Sequence, residues 1–201
     1  MENSSTLLPL FATNVIVVQL DLDCDKYLSL VKDLKFISAE NNLEHKSLIS
    51  VCNKLLDKKE FKELKKQFMK SFNLCNKKYL NYKNKFKIYN SWATATLKSQ
   101  GSSFHNHINS AISGVFYLQD GVSSLEFENF NKPPFDIPIE KYTINNSQNY
   151  FITPKKGMLI FFPSQAYHKI STNNETKERF SIAFNFLPVG LIGKRDNELK
   201  L

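Results

Sequence analysis

Short β-type segments separated by turn residues fill the chain from Phe86 onward, and this pattern limits the possible folds more than any other feature. The first segment, residues 87–97, alternates so that Trp92, Thr94 and Thr96 share one side. Further segments of this kind are residues 111–119, 124–127, 150–153, 158–162, the surroundings of Ile170, and 180–186. Many short strands with turn signals between them predict a closed or sandwiched antiparallel sheet.

The elements predicted before this region are a strand over residues 7–20, with its β-branched and apolar part at 14–20, and helices over residues 25–34, 47–56 and 57–74. In the longest helix, Phe61, Leu64, Phe68 and Phe72 follow the spacing of one apolar stripe. We expect this stripe to pack against one face of the sheet.

Together these elements predict a mainly β fold with flanking helices (α+β) in a single domain over residues 1–201. Residues 1–85 would supply an N-terminal strand and supporting helices, residues 86–187 the β core, and residues 188–201 a C-terminal tail. A chain of 201 residues is of ordinary size for one core.

The net charge of +8 is concentrated in one segment, where twelve lysines but only three acidic residues lie between Lys54 and Lys87. Such a stripe can attract nucleic acid or an acidic partner. The chain has few arginines, however, and arginine dominates specific contacts to phosphates and bases. We therefore favour a solvated helix face over a nucleic-acid surface.

Three features predict a cytoplasmic, soluble protein. No apolar run reaches the roughly 18 residues of a membrane span. Residues 1–5 are polar and acidic and lack the basic start of a signal peptide. Cys24, Cys52 and Cys75 are far apart and odd in number, which is typical of a reducing compartment.

Three of the four histidines lie in the β region and predict a metal site. His105 and His107 would point to the same face of a strand, and a barrel can bring His168 to the same interior point. Imidazole binds iron, zinc and copper through a neutral nitrogen. Arg179 and Ser181 again share a face and could hold a carboxylate beside the metal. The fourth histidine, His45, lies in a polar stretch, which predicts that it is at the surface.

A family resemblance supports this interpretation over about half of the chain. The matching strings are Trp92-Ala93-Thr94, Gly101, the His105-x-His107 pair, residues 113–118 (SGVFYL), 157–164 (GMLIFFPS), His168 and 179–185 (RFSIAFN), with Pro9-Leu10-Phe11 near the start. Residues 86–187 resemble the 2-oxoglutarate- and Fe(II)-dependent oxygenases, in particular a group found in bacteria and phages. The resemblance implies a double-stranded β-helix, or jelly roll, flanked by helices.

The resemblance also implies roles for particular residues. His105 and His168 would bind Fe(II), and Arg179 would form a two-pronged salt bridge with the far carboxylate of 2-oxoglutarate. Ser181 would donate its hydroxyl to the same carboxylate, and Tyr117 could reach this cosubstrate from a neighbouring strand. Gly157 would make the turn before the strand that leads to the last histidine.

The chain departs from most of the superfamily at His107, where a carboxylate is usual. With His107 as the third ligand, the metal would keep one more positive charge, which can strengthen its attraction to dianionic 2-oxoglutarate or shift its preference toward copper or zinc. The bacterial and phage group shares this H-x-H pattern. A second arrangement, with His107 and Asn109 as the near pair, is also open.

The predicted function is that of an Fe(II)- and 2-oxoglutarate-dependent oxygenase, which uses O2 to hydroxylate a C–H bond of a small molecule or a protein side chain. One alternative is a three-histidine dioxygenase that does not use 2-oxoglutarate. The other is a jelly roll that binds a metal or a partner without catalysis. The loop at Pro133 and Pro134 and the segment after Phe135 are expected to cover the barrel mouth, where specificity would reside.

Overall fold

The structure is a computed structural model that describes residues 6–7, 12–38, 46–131, 135 and 137–201. His45, Pro9 to Phe11, and the pair Pro133 and Pro134 lie outside the described residues. The strands are β1 (Ile16–Gln19), β2 (Phe36–Ser38), β3 (Leu48–Ser50), β4 (Lys85–Thr96), β5 (Ile112–Tyr117), β6 (Leu125–Glu128), β7 (Asn149–Ile152), β8 (Met158–Pro163), β9 (His168–Ile170), β10 (Arg179–Val189), β11 (Leu191–Ile192) and β12 (Leu199–Lys200). The helices are α1 (Cys24–Lys32) and α2 (Lys62–Cys75), with 3-10 turns at Leu55–Asp57, Lys59–Phe61 and Arg195–Asn197 and a π turn at Asn76–Leu80.

Two antiparallel sheets face each other across a cavity. The major sheet has the strand order β1-β8-β5-β10-β4-β3-β2, and the minor sheet has the order β7-β6-β9. An isolated bridge between His105 and His168 adds one more pairing beside the minor sheet. This mainly β arrangement with flanking helices is the jelly roll that the sequence predicts. None of the described helices is long and apolar enough to cross a membrane.

The central strand β10 separates two environments by simple alternation. Its even-numbered side chains, among them Phe180, Ile182 and Phe184, lie in the larger apolar core. Its odd-numbered side chains, Arg179 and Ser181 among them, line the cavity between the sheets. Because successive side chains of a strand point to opposite faces, one strand contributes to both environments. The predicted alternation is confirmed.

Helix α2 covers the outer, convex face of the major sheet. The ring of Phe68 stacks on that of Phe184 with centroids 4.8 Å apart, and Phe72 stacks on Phe186 at 4.3 Å. The predicted apolar stripe of this helix is therefore confirmed. Phe184 also lies directly over Gly114, where an added Cβ would stand 2.5 Å from the phenylalanine ring.

The predicted helix over residues 47–56 is wrong, because this segment pairs with the sheet. It forms β3 and then a 3-10 turn, and Leu48 and Ile49 pair with Ala95 and Thr94 of β4. The hydroxyl of Ser47 lies 3.0 Å from that of Thr96. Tertiary pairing here outweighs a weak helical spacing.

The C-terminal segment is more ordered than the predicted tail. Strand β10 continues to Val189, and β11 and β12 form a small hairpin after it. Gly157 makes the expected turn before β8 with a left-handed backbone (φ 81°), and an added Cβ would lie 2.5 Å from the Leu20 carbonyl oxygen. Glycine fits both the conformation and the close approach.

Candidate metal centre and cosubstrate cavity

Three imidazoles meet in the cavity between the two sheets. One ring nitrogen from each of His105, His107 and His168 lies within 4.8 Å of the other two, and we call these residues the histidine cluster. The Nε2 atoms of His107 and His168 are 3.3 Å apart. His168 begins β9, whereas His105 and His107 lie in an extended loop and not in a regular strand. The structure thus brings together all three histidines that the sequence singled out.

Backbone contacts orient two of these rings. The Nδ1 atom of His105 lies 2.9 Å from the Ser103 carbonyl oxygen, and Nδ1 of His168 lies 2.9 Å from that of Ala166. A carbonyl oxygen can only accept, so each Nδ1 carries the proton and donates it. The lone pair is then left on Nε2, which is how metal-ligating imidazoles are commonly fixed.

Two members of the cluster, His107 and His168, are held in the neutral form that binds metals. Burial, with a smaller contribution from the charge of His105, lowers the pKa of His107 from 6.5 to about 4. Burial also lowers the pKa of His168 to about 3, again with His105 contributing. Both imidazoles are therefore unprotonated at neutral pH, and protons do not compete with a cation for them.

Arg179 is buried in the same cavity without a carboxylate partner among the described residues. The residue is 1% exposed, its Nη1 donates to the Ser123 carbonyl oxygen at 3.3 Å, and its Nε has no hydrogen-bond partner in the part of the chain that the structure describes. The one buried acid of the described residues, Glu126, pairs with Lys169 instead (Oε2–Nζ 3.2 Å). A buried cation without a counter-ion lowers the stability of the fold, so this geometry indicates a binding site for an anion.

Tyr117 and Ser181 flank this guanidinium. The Tyr117 ring centroid is 5.3 Å from the Arg179 Cζ, and Ser181 pairs directly with Tyr117 across β5 and β10. Burial lowers the pKa of Arg179 and raises the pKa of Tyr117, so the phenol stays neutral and can donate. A guanidinium keeps its charge even so.

The histidine cluster, Arg179, Ser181 and Tyr117 all line one cavity of about 120 Å³. Asn109 does not line it; this residue lies in a turn with φ 60°. The arrangement with all three histidines is the one that the geometry supports.

A polar network in the cavity was missed by the sequence reasoning. The Ser113 hydroxyl donates to Asn185 Oδ1 at 2.7 Å and lies 2.9 Å from the Ser164 hydroxyl. The Ser164 carbonyl oxygen in turn accepts a hydrogen bond from the His107 backbone N–H at 2.9 Å. The network therefore links β5, β10 and the residue that follows β8 to a histidine of the cluster. Asn185 lies an even number of residues after Arg179 on β10, so strand alternation predicts that both side chains face the cavity.

The fold is shared with solved structures of low sequence identity. The epimerase SnoN from nogalamycin biosynthesis, a non-heme α-ketoglutarate-dependent enzyme, has a TM-score of 0.68 and 12% identity, over 89% of this chain and 80% of that one. A prolyl hydroxylase from Trichoplax adhaerens has a TM-score of 0.61 and 15% identity over 86% and 83%. HygX from Streptomyces hygroscopicus, solved with nickel, 2-oxoglutarate and hygromycin B, has a TM-score of 0.60 and 11% identity over 88% and 83%. No curated protein matches the chain.

A jelly roll with three imidazoles and a buried arginine around one cavity is the arrangement that the family resemblance predicts. Residues 90–185 match the family model described as "Putative 2OG-Fe(II) oxygenase". The match spans just under half of the chain, which is thus similar to this family of oxidoreductases, whose members use Fe(II), 2-oxoglutarate and O2.

Proposed function

We propose that the histidine cluster binds Fe(II) and that Arg179 binds the far carboxylate of 2-oxoglutarate, so that the protein hydroxylates a C–H bond of its substrate. The observation that carries this proposal is the buried guanidinium without a carboxylate partner, in the same cavity as the cluster. The chemistry that the metal would supply is the reaction of 2-oxoglutarate and O2 to succinate and CO2, with one oxygen atom entering succinate and the other the C–H bond of the substrate.

The histidine cluster has the donor set for a divalent transition metal, and burial keeps His107 and His168 neutral near pH 7. Three imidazoles on one side would leave other coordination positions open for ligands. Because no carboxylate of the described residues joins them, a bound cation would keep its full charge of two, which favours a dianionic cosubstrate. The contacts of Nδ1 to backbone carbonyls hold two of the rings in position before any ligand arrives.

The residues around Arg179 fit one carboxylate of a dicarboxylate. The free Nε beside the two Nη groups offers the planar fork that binds a carboxylate with two hydrogen bonds. The hydroxyls of Tyr117 and Ser181 can donate to the same group. Because these residues are buried, the pocket excludes water and strengthens each of these interactions.

The buried arginine also separates this function from the alternatives. A three-histidine dioxygenase without 2-oxoglutarate, or a jelly roll that only binds a partner, has no need of a cation kept out of water at a cost in stability.

The substrate and the location belong to the proposal as well. We infer a small molecule or a protein side chain as substrate rather than nucleic acid, since the lysines of α2 lie on the convex side of the sheet, away from the cavity. Three free cysteines support a reducing, cytoplasmic location.

The test is anaerobic titration of the metal-free protein with Fe(II) and then 2-oxoglutarate, followed by visible absorbance. We expect a weak charge-transfer band that requires both additions and succinate formation once O2 is admitted. In Arg179→Gln the band and the succinate should be lost while iron is still bound.

The matched control is Arg195→Gln, since Arg195 is the other arginine of the chain and is exposed. This variant should titrate like the unmodified protein. Iron binding without the band in the unmodified protein would favour the dioxygenase that does not use 2-oxoglutarate. Absence of iron binding would favour the non-catalytic module.

A further inference from the structure

Trp92 borders the histidine cluster on the side of the major sheet. Its indole is partly exposed, and its ring centroid lies 5.7 Å from that of His107. It also lines the cavity together with Thr94, two residues further along β4. Trp92 therefore lies where a molecule approaching the cluster along the concave face of the sheet would touch the protein.

An apolar strip continues from this point across the edge of the major sheet. Ile49 of β3 pairs with Thr94, and Ile37 of β2 pairs with Ile49. Cross-strand partners share a face, so both isoleucines lie on the concave side with Trp92. Ile37 is 49% exposed, since a minor sheet of three strands faces a major sheet of seven. An exposed apolar strip that leads into a reactive cavity is typical of a ligand groove.

An unsatisfied hydrogen-bond acceptor lies on the other side of the indole. Asn90 pairs with Asn185 of β10, which lines the cavity, so Asn90 shares the concave face. Its Oδ1 is buried and has no hydrogen-bond donor among the described residues. Buried acceptors are almost always satisfied, so an orphaned one on the concave face points to a donor supplied by a ligand.

We propose a substrate subsite for an uncharged apolar group next to an N–H or O–H donor. It is formed by Trp92, by the strip of Ile49 and Ile37, and by the side-chain Oδ1 of Asn90. The apolar group would lie on the indole and the two isoleucines, and the donor would bind Asn90 Oδ1. The subsite rests on the proposed function, because it orients a C–H bond of the ligand toward the histidine cluster. Asn90 and Ile37 are then specificity residues that take no part in binding the metal or 2-oxoglutarate.

The experiment uses Trp92 as its own reporter, since it is the only tryptophan of the chain. Metal-free protein is titrated with N-acetyl-leucine methylamide, and the tryptophan emission is recorded. The comparison probes are the fully N-methylated analogue, which has no donor, and N-acetyl-lysine methylamide, which carries a charge. We expect saturable binding of the first probe, about 10-fold weaker binding without the donor, and weaker binding still for the charged probe.

Three variants make the test specific. Asn90→Leu should weaken the first probe about 10-fold and abolish its preference over the N-methylated analogue. It should also raise the melting temperature of the free protein by about 2–4 °C, because a buried unsatisfied group is removed. Ile37→Asp should weaken binding of the apolar probe. Leu74→Asp, which changes a 61% exposed leucine of α2 on the convex side, should leave binding unchanged.

The subsite is overturned if the tryptophan emission does not saturate with the first probe. It is also overturned if Asn90→Leu lowers the melting temperature and binds N-acetyl-leucine methylamide and its N-methylated analogue with the same affinities as the unmodified protein. Succinate formation from 2-oxoglutarate, measured on the iron-loaded protein without any probe, separates the two proposals. A protein that forms succinate but does not bind the probe retains the proposed function and lacks the subsite. A protein that binds the probe but forms no succinate retains the subsite and lacks the proposed function.

Discussion

The two faces of the major sheet are built from different chemistry. The convex face is covered by α2 and filled by stacked rings such as Phe68 on Phe184. The concave face carries imidazole, guanidinium, hydroxyl and amide groups, several of them without a protein partner. Apolar burial stabilises the fold, whereas buried polar groups cost stability unless a partner or a ligand satisfies them. The convex face thus maintains the fold that lets the concave face keep unsatisfied polar groups.

The largest effect is expected on the concave face from His168→Ala. Loss of one of three imidazoles should weaken iron binding by at least ~100-fold and abolish 2-oxoglutarate turnover. Anaerobic metal analysis after desalting measures the first, and succinate formation the second. The unfolding free energy of the metal-free protein should change less than in the variant of the convex face below. Retention of stoichiometric iron would show that His168 is not a ligand.

The matching change on the convex face is Phe184→Ala. Removal of this ring should lower the free energy of unfolding by about 3–5 kcal/mol, because a cavity is left beside α2. Urea denaturation measures the effect, and Leu74→Ala at an exposed position should stay within about 0.5 kcal/mol. Molecules that remain folded should bind iron as before. Weaker iron binding by the folded fraction would mean that the two faces are coupled more tightly than the alternation suggests.

Acid should destabilise the metal-free protein through the concave face. The pKa values of His107 and His168 are about 4 and about 3 in the folded state and about 6.5 when unfolded. Below pH 6.5 the unfolded chain therefore binds more protons, and folding stability falls as the pH is lowered toward 4. We expect a loss of about 1–2 kcal/mol per imidazole between pH 7 and pH 5.

The pH effect is measured by urea unfolding at a series of pH values. His107→Gln should remove about half of the slope in this range. An unchanged slope in that variant would mean that other groups cause the acid sensitivity.

The smallest effect is expected from Ser113→Ala in the polar network of the cavity. This variant leaves Asn185 Oδ1 without its donor and should cost about 1 kcal/mol of unfolding free energy. Ser71→Ala, at a buried serine of α2, should cost less than 0.5 kcal/mol. Iron affinity should fall a few-fold in the first variant alone, because Ser164 joins Ser113 to the backbone of His107. Equal iron affinities in the two variants would leave the network a structural role only.

Strong local patterns made much of the fold predictable. The alternation of Phe180 to Phe184 on β10 and the stripe of Phe61 to Phe72 are set by which side chains must be buried, and the sequence displays this directly. The helix predicted from Ser47 to Leu56 is wrong because the conformation of this segment is set by pairing with β4, a partner some 45 residues away.

The sequence predicts the main residues of the candidate site but not the polar residues that surround them. Histidine spacing and the family resemblance were enough to select the histidine cluster, Arg179, Ser181 and Tyr117. Ser113, Asn185 and Asn90 are ordinary polar residues in sequence, and only the register of β4, β5 and β10 shows that they share the concave face. A bulge in β4 lies where Asn185 pairs with Asn90 and Phe186 pairs with Ile88. It changes which side chains of β4 face the cavity, and the sequence does not indicate it.

The contact between Gly114 and Phe184 has an evolutionary consequence. An added Cβ at position 114 would overlap the phenylalanine ring, so neither position can change freely while the other stays as it is. Among homologues, we expect a larger residue at 114 to occur together with a smaller one at 184. The two positions should drift as a pair, and a change at one should open or close the mutational paths available to the other.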